Sequence, residues 1–147
     1  MNCKEIFQDT LQELLATTNT TVKALSDGTK IYTSALYRFY NGESIPSVKN
    51  VIKLAEYFSC SLDYMFGLTD KYIVEQYRTV TTPNERFRTF LQESNLTRYQ
   101  IYKATGIQEN RLADWFHDRR IPSLSSLCAI AKAFSCSLDY LAGRDKI

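Results

Sequence analysis

Twenty residues beginning at Ile45, IPSVKNVIKLAEYFSCSLDY, return 76 positions later as IPSLSSLCAIAKAFSCSLDY, Ile121 to Tyr140, with eleven of the twenty positions identical. Chance does not produce such a match, so the chain is a tandem duplication and must fold as two like units. The correspondence continues upstream more faintly, pairing Leu36 with Leu112, Phe39 with Trp115, and Leu14-Leu15 with Phe90-Leu91. The expected boundaries are a first unit over 1–68, a linker over 69–83 and a second unit over 84–147. Units of about 65 residues are only marginally stable alone, so each must use its small core fully.

The apolar spacing inside each unit is helical. In the second unit Asn84 follows Pro83 as the expected N-cap, and Phe87, Phe90 and Leu91 form the i, i+3, i+4 stripe of a helix ending near Ser94. Thr97 caps a second helix that runs to about Thr105, where Gly106 can take the left-handed conformation that stops it. Gln108 opens a third helix with Leu112, Trp115 and Phe116 as its buried stripe. Pro122 and Ser123 restart the chain into a fourth helix with Leu124, Leu127, Cys128 and Ala131 on its apolar face, and Ser137 caps a short fifth, closed by Gly143. The first unit gives helices near 3–16, 21–27, 32–40, 47–57 and 61–66, with Gly67 as the last cap. The expected fold is all-α: two five-helix bundles in tandem.

The whole chain carries 18 Lys and Arg against 16 Asp and Glu, and that near balance points to no particular partner. The division does more. Residues 1–70 hold six bases and eight acids, a net −2, while 71–147 hold twelve bases and eight acids, a net +4, which makes the second half the better polyanion binder. No run approaches the roughly 18 apolar residues that span a bilayer, and MNCKEIFQDTLQE carries acids where a signal peptide needs an apolar stretch, so a cytoplasmic location and no membrane partner are expected. Cys3, Cys60, Cys128 and Cys136 form no CxxC pair and stand with one His, too few well-spaced ligands for zinc. Mostly buried thiols are expected instead, including Cys60 and Cys136 at one repeat position, with no metal and no cofactor. His117 has no matched nucleophile, there is no glycine-rich phosphate loop, and Asp63 and Asp139 sit at helix starts, where a carboxylate suits the helix dipole. No catalytic residue is assigned, and an enzyme is not expected.

A short helix, a tight Gly-containing turn and a second short helix lets the second helix enter a major groove while the first crosses the backbone. Residues 96–123, LTRYQIYKATGIQENRLADWFHDRRIPS, resemble the helix-turn-helix of the lambdoid repressor and Cro family, also called XRE-like, and SLCAIAKAFSCSLDYLAGR after them resembles its last two helices. The resemblance covers nearly all of both units and is weakest over residues 20–44. It implies a sequence-specific, repressor-like transcriptional regulator that binds double-stranded DNA. By position it carries the phosphate-contacting start of the second helix to Arg98 and the groove-reading residues to Gln108, Glu109, Asn110 and Asp114. The side-chain chemistry agrees in part: Asn110 and Gln108 suit bidentate contacts to adenine, and Glu109 can accept from cytosine N4. Arg111 reaches phosphate or guanine from the same helix. The loop His117 to Arg120 falls where the family contacts phosphate, with Arg119-Arg120 as an adjacent basic pair. Tyr102 stands where the family has a small residue, and its bulk must either splay the two helices or point outward.

In the first unit Ser26 is the small residue at that position, but Lys30 replaces the turn glycine. Gly28 is therefore the expected helix stop, followed by a longer turn, TKI. The third helix presents Tyr32, Thr33, Ser34, Tyr37 and Arg38 outward, with Leu36 and Phe39 inward and Asn41-Gly42 in the family's phosphate loop. Tyr and Thr contact phosphates and thymine methyls, yet Tyr32, Tyr37 and Tyr40 around one helix also describe a protein interface. Both readings stay open, as does a homodimer or protein partner through this unit or the linker. Residues 69–83, TDKYIVEQYRTVTTP, are too rich in β-branched and aromatic side chains for a floppy tether; Tyr72, Ile73, Val74 and Tyr77 are expected to continue a helix and dock, or to pair as a strand with a second chain. Two unlike readers on one chain imply an asymmetric operator, a homodimer a palindrome. The alternative function is a phage or mobile-element protein-binding scaffold or inhibitor, resembling anti-CRISPR proteins, that uses the aromatic first-unit helix as its interface.

Overall fold

The computed structural model describes residues 2–147; Met1, at the start of the expected first unit, lies outside the described residues. The chain divides into two compact units, residues 1–77 and 78–147. The first contains α1 (Cys3–Thr17), α2 (Val22–Thr29), α3 (Thr33–Tyr40), α4 (Val48–Phe58) and α5 (Leu62–Met65). A short strand β1 (Tyr77–Thr79) follows, then α6 (Pro83–Ser94), α7 (Arg98–Thr105), α8 (Glu109–Phe116), α9 (Leu124–Phe134), α10 (Leu138–Leu141) and a second strand β2 (Arg144–Lys146). From the second helix onward the helices of the two units start and stop at the same repeat positions, so the duplication was kept without insertion through the motif.

Each unit closes on its own core. In the first, Phe7, Leu11 and Leu14 of α1 are buried together with Leu25, Leu36, Val51, Leu54 and Phe66, and the Phe7 and Phe66 rings stack 5.1 Å apart. In the second, Trp115 is buried and packs edge-on against Phe87 at 5.4 Å, and Ile101, Leu112, Leu127 and Leu138 are buried in the same unit. Burying one such side chain stabilises by about 1.5–3 kcal/mol.

The turn between the second and third helices is the same in both units, contrary to the expectation from Gly28. Helix α2 runs through Gly28 and ends at Lys30, which itself takes the left-handed conformation (φ 63°, ψ 24°) that Gly106 takes in the second unit (φ 79°). In both units a threonine hydroxyl, of Thr29 or Thr105, donates 2.7 Å to the carbonyl one turn back and accepts from the amide of Ile31 or Ile107, whose side chain is buried. That buried isoleucine fixes where α2 must stop. Gly28 has a different reason to be glycine: a Cβ there would lie 2.5 Å from the Tyr57 ring carbon Cε2. Tyr102 keeps α7 and α8 in contact by turning its ring along α7 toward Tyr99, 6.3 Å away.

Further departures concern ends and connections. Thr82, not Asn84, caps α6, its hydroxyl accepting from the Glu85 amide at 3.1 Å. Pro83 has the fixed φ and the missing N–H that suit a first helical position, so the cap falls one residue before it. Phe116 and Cys136 are half-buried rather than buried, while Cys60 is buried. Residues 69–76 form no helix: the Tyr72 hydroxyl donates to the Phe58 carbonyl at 2.8 Å, and the Glu75 amide to Ser59 at 3.1 Å. β1 pairs with β2 of the same chain, and the Val80 amide donates to Gly143 at 2.8 Å. These two strands are the addition to the all-α expectation; three-residue strands are too short to leave a periodic signal.

Asp139, in the first turn of α10, also does more than suit the helix dipole. Its carboxylate accepts from Arg144 Nη1 at 2.8 Å with both side chains 2% exposed. The repeat position of Arg144 in the first unit is Leu68, so this ion pair belongs to the second unit alone. Arg144→Met in the full chain is expected to cost about 3–5 kcal/mol by stranding a buried carboxylate, and adding Asp139→Leu to recover most of it, measured by denaturant unfolding. Lys30→Gly has the opposite sign. Relief of a left-handed lysine, about 1–2 kcal/mol, exceeds the roughly 0.5–1 kcal/mol of extra unfolded-state entropy that glycine brings, so the first unit's melting midpoint should rise by a few degrees.

Candidate nucleic-acid interface

Helix α8 emerges from the Gly106 turn with Gln108 at its N-cap and Glu109, Asn110 and Arg111 exposed along its first turn. Leu112 and Trp115 hold its other face in the core, which fixes the rotation of the helix about its axis. Gln108 is exposed and makes no capping hydrogen bond. The side-chain Oδ1 of Asn110 accepts from the Arg111 backbone amide at 2.9 Å. An eight-residue helix is about 12 Å long, comparable to the width of a major groove.

At the other end of α8 the structure gathers the basic residues. Arg98, the first residue of α7, places its guanidinium 5.7 Å from the centre of the Phe116 ring, against which His117 packs edge-on at 5.1 Å. Asp114 is half-buried and engaged: it accepts from Arg119 Nε at 2.8 Å and lies 3.5 Å from Arg120 Nε. Its backbone carbonyl also accepts from the amides of Arg119 and Arg120, at 2.8 and 3.3 Å. Such exposed ion pairs contribute at most about 1 kcal/mol, so their consequence is orientation of the loop rather than stability. The structure thus separates the named residues into Gln108, Glu109, Asn110 and Arg111 at the head of α8, and Arg98, Asp114, His117, Arg119 and Arg120 at its foot.

Two residues of α6 that the apolar pattern did not single out complete the foot. Asn84 is buried, and its side-chain amide donates to the carbonyls of Trp115 at 3.0 Å and Arg120 at 2.7 Å. Arg88 donates to the Phe116 carbonyl at 3.0 Å and pairs with Asp118 at 2.8 Å, where Asp118 holds φ 60°. The repeat offered a signal for both: the positions of Asn84 and Arg88 are Gln8 and Gln12 in the first unit, and those glutamines donate to the Tyr40 carbonyl at 3.1 and 2.8 Å. Long polar donors recurring on one face of an otherwise core-facing helix mark a shared polar task.

The first unit presents a different surface on the same frame. Tyr32 caps α3 without a side-chain bond, and Thr33, Ser34, Tyr37, Arg38 and Asn41 are all exposed. Arg38 occupies the repeat position of Asp114, and Glu43 and Ser44 occupy those of Arg119 and Arg120, so the sign is reversed at two of these positions and the charge is lost at the third.

Residues 10–70 match the family model described as Cro/C1-type HTH DNA-binding domain, and residues 87–141 match the one described as helix-turn-helix. Comparison with curated proteins and with solved structures gave no match. No helix among the described residues is long and apolar enough to cross a membrane. With the two matches falling one on each half of the duplication, the chain is a tandem pair of XRE-like helix-turn-helix domains.

Proposed function

We propose that the chain is a sequence-specific, repressor-like regulator that reads the DNA major groove with α8. Cro/C1-type domains, matched by residues 10–70, are DNA-binding regulators in general and are typically not enzymes; the assignment to α8, in the half matched by the helix-turn-helix model, is the finer step. The observation that carries it is the disposition of the second unit's surface: outward Gln108, Glu109 and Asn110 at the head of α8, and Arg98, Arg119 and Arg120 at its foot. Amides and a carboxylate suit base edges, and arginines suit the phosphates flanking them. The net +4 of residues 71–147 favours this half for the electrostatic part of binding.

A second reading applies to the first unit. Tyr32, Tyr37 and Tyr40 are 84%, 52% and 36% exposed on one helix, and Glu43 stands where the second unit has Arg119. Exposed tyrosines with an acid in the phosphate loop suit a protein interface better than a polyanion. In this reading α3 docks a protein or a second copy, while α8 reads DNA.

Asn110→Ala should relax preference at one base pair, by about 1–3 kcal/mol, with the salt dependence unchanged. Arg120→Ala should weaken binding to every sequence and reduce the salt slope by about one. Competition assays over single-base operator variants and a salt series read the two effects separately, and equal losses at all positions from Asn110→Ala would contradict base reading by α8. For the first unit, Tyr37→Ala should abolish homodimerisation or capture of a protein partner and leave the duplex affinity unchanged; reduced duplex affinity would make α3 a DNA reader instead.

A further inference from the structure

We propose that Asn84, on α6, is a positioning residue for phosphate contact by Arg119 and Arg120. This rests on the DNA-reading role proposed for α8. Both protons of one buried amide are used, one on the last turn of α8 at Trp115 and one on the end of the loop at Arg120. Two acceptors sharing one NH2 are held on the order of 5 Å apart by hydrogen-bond geometry alone. The five residues between those carbonyls are thereby closed into a ring, and the arginine side chains leave it from a backbone whose shape is set before DNA arrives. Preorganisation of this kind removes an ordering penalty from binding.

The first unit shows what the arrangement adds. There Gln8 and Gln12 converge on one carbonyl, Tyr40, at the helix end, and the loop that follows carries Glu43 and Ser44 rather than two arginines. Where the loop is basic, the donor at the Gln8 position is the shorter asparagine, and it reaches the loop end as well. Asn84 is uncharged and 6% exposed, so replacing it changes neither the charge nor the outline of the DNA-facing surface. A change in salt slope on its replacement therefore reports loop geometry, because loss of fold stability lowers the active fraction without altering how many phosphates a folded molecule engages.

The test uses the full chain, wild type against Asn84→Ala and Asn84→Gln, with a fluorescein-labelled random-sequence duplex titrated across a salt series. Amide hydrogen exchange is followed in parallel. Asn84→Ala is expected to lower affinity about tenfold, to reduce the salt slope by about one to two, and to speed exchange at the Arg119 and Arg120 amides while Leu127 and Ile130 in α9 stay protected. Asn84→Gln, the residue of the first unit, is expected to hold the helix end and release the loop end, giving an intermediate slope; it carries the test if the alanine variant does not fold. Parallel salt slopes for wild type and variants, or faster exchange across α9 as well as the loop, would overturn the inference while leaving DNA reading intact. A wild-type chain that binds no duplex at low salt would overturn both.

Discussion

The direction in which the third helix of either unit leaves the second depends on a three-residue turn. A threonine hydroxyl closes the second helix onto its own carbonyl and accepts the amide two residues on, the residue between is left-handed, and the next side chain is an isoleucine in the core. Because the isoleucine must be buried and the hydroxyl must satisfy both groups, the chain has one way to leave the second helix, and the third helix starts in a fixed direction. The first unit keeps this geometry even with Lys30 in the left-handed position. The packing of Ile31 outweighs a backbone preference of about 1–2 kcal/mol.

That priority explains what was legible in the sequence. Element type and order came through because a buried stripe such as Leu112 and Trp115, or Leu124, Leu127, Cys128 and Ala131, is a periodic signal summed over many residues. The turn in the first unit did not, because reading a glycine as a stop weighs local propensity alone, and Gly28 is small for the Tyr57 ring, a contact across the fold. The cap of α6 lies at Thr82, two residues before Asn84, for a related reason: Asn84 has the chemistry of a cap and uses it on carbonyls 31 and 36 positions away. Of the surface, the outward residues of α8 were legible from periodicity and resemblance. The engagement of Asp114 by Arg119 and Arg120, and the buried Asp139–Arg144 pair, depend on side chains meeting across a turn, which no spacing rule specifies.

Duplication makes the two surfaces interpretable against each other. From the second helix onward the helix boundaries are held constant, so differences at matched exposed positions change the surface rather than the frame. Arg38 against Asp114, Glu43 against Arg119, and Tyr37 against Ala113 change charge and aromatic content without moving a helix boundary. The nearly even charge of the whole chain is thus an average over an acidic unit with an aromatic helix and a basic unit with an amide-bearing one.

The most direct measurement of the central claim is selection of the full-length chain against a random-sequence duplex library at low salt, repeated with Asn110→Ala. The account predicts an enriched motif whose information falls at one base pair in the variant while the rest persists. If no motif is enriched at low salt, or if the variant selects the unchanged motif, α8 is not the reader and the account is wrong.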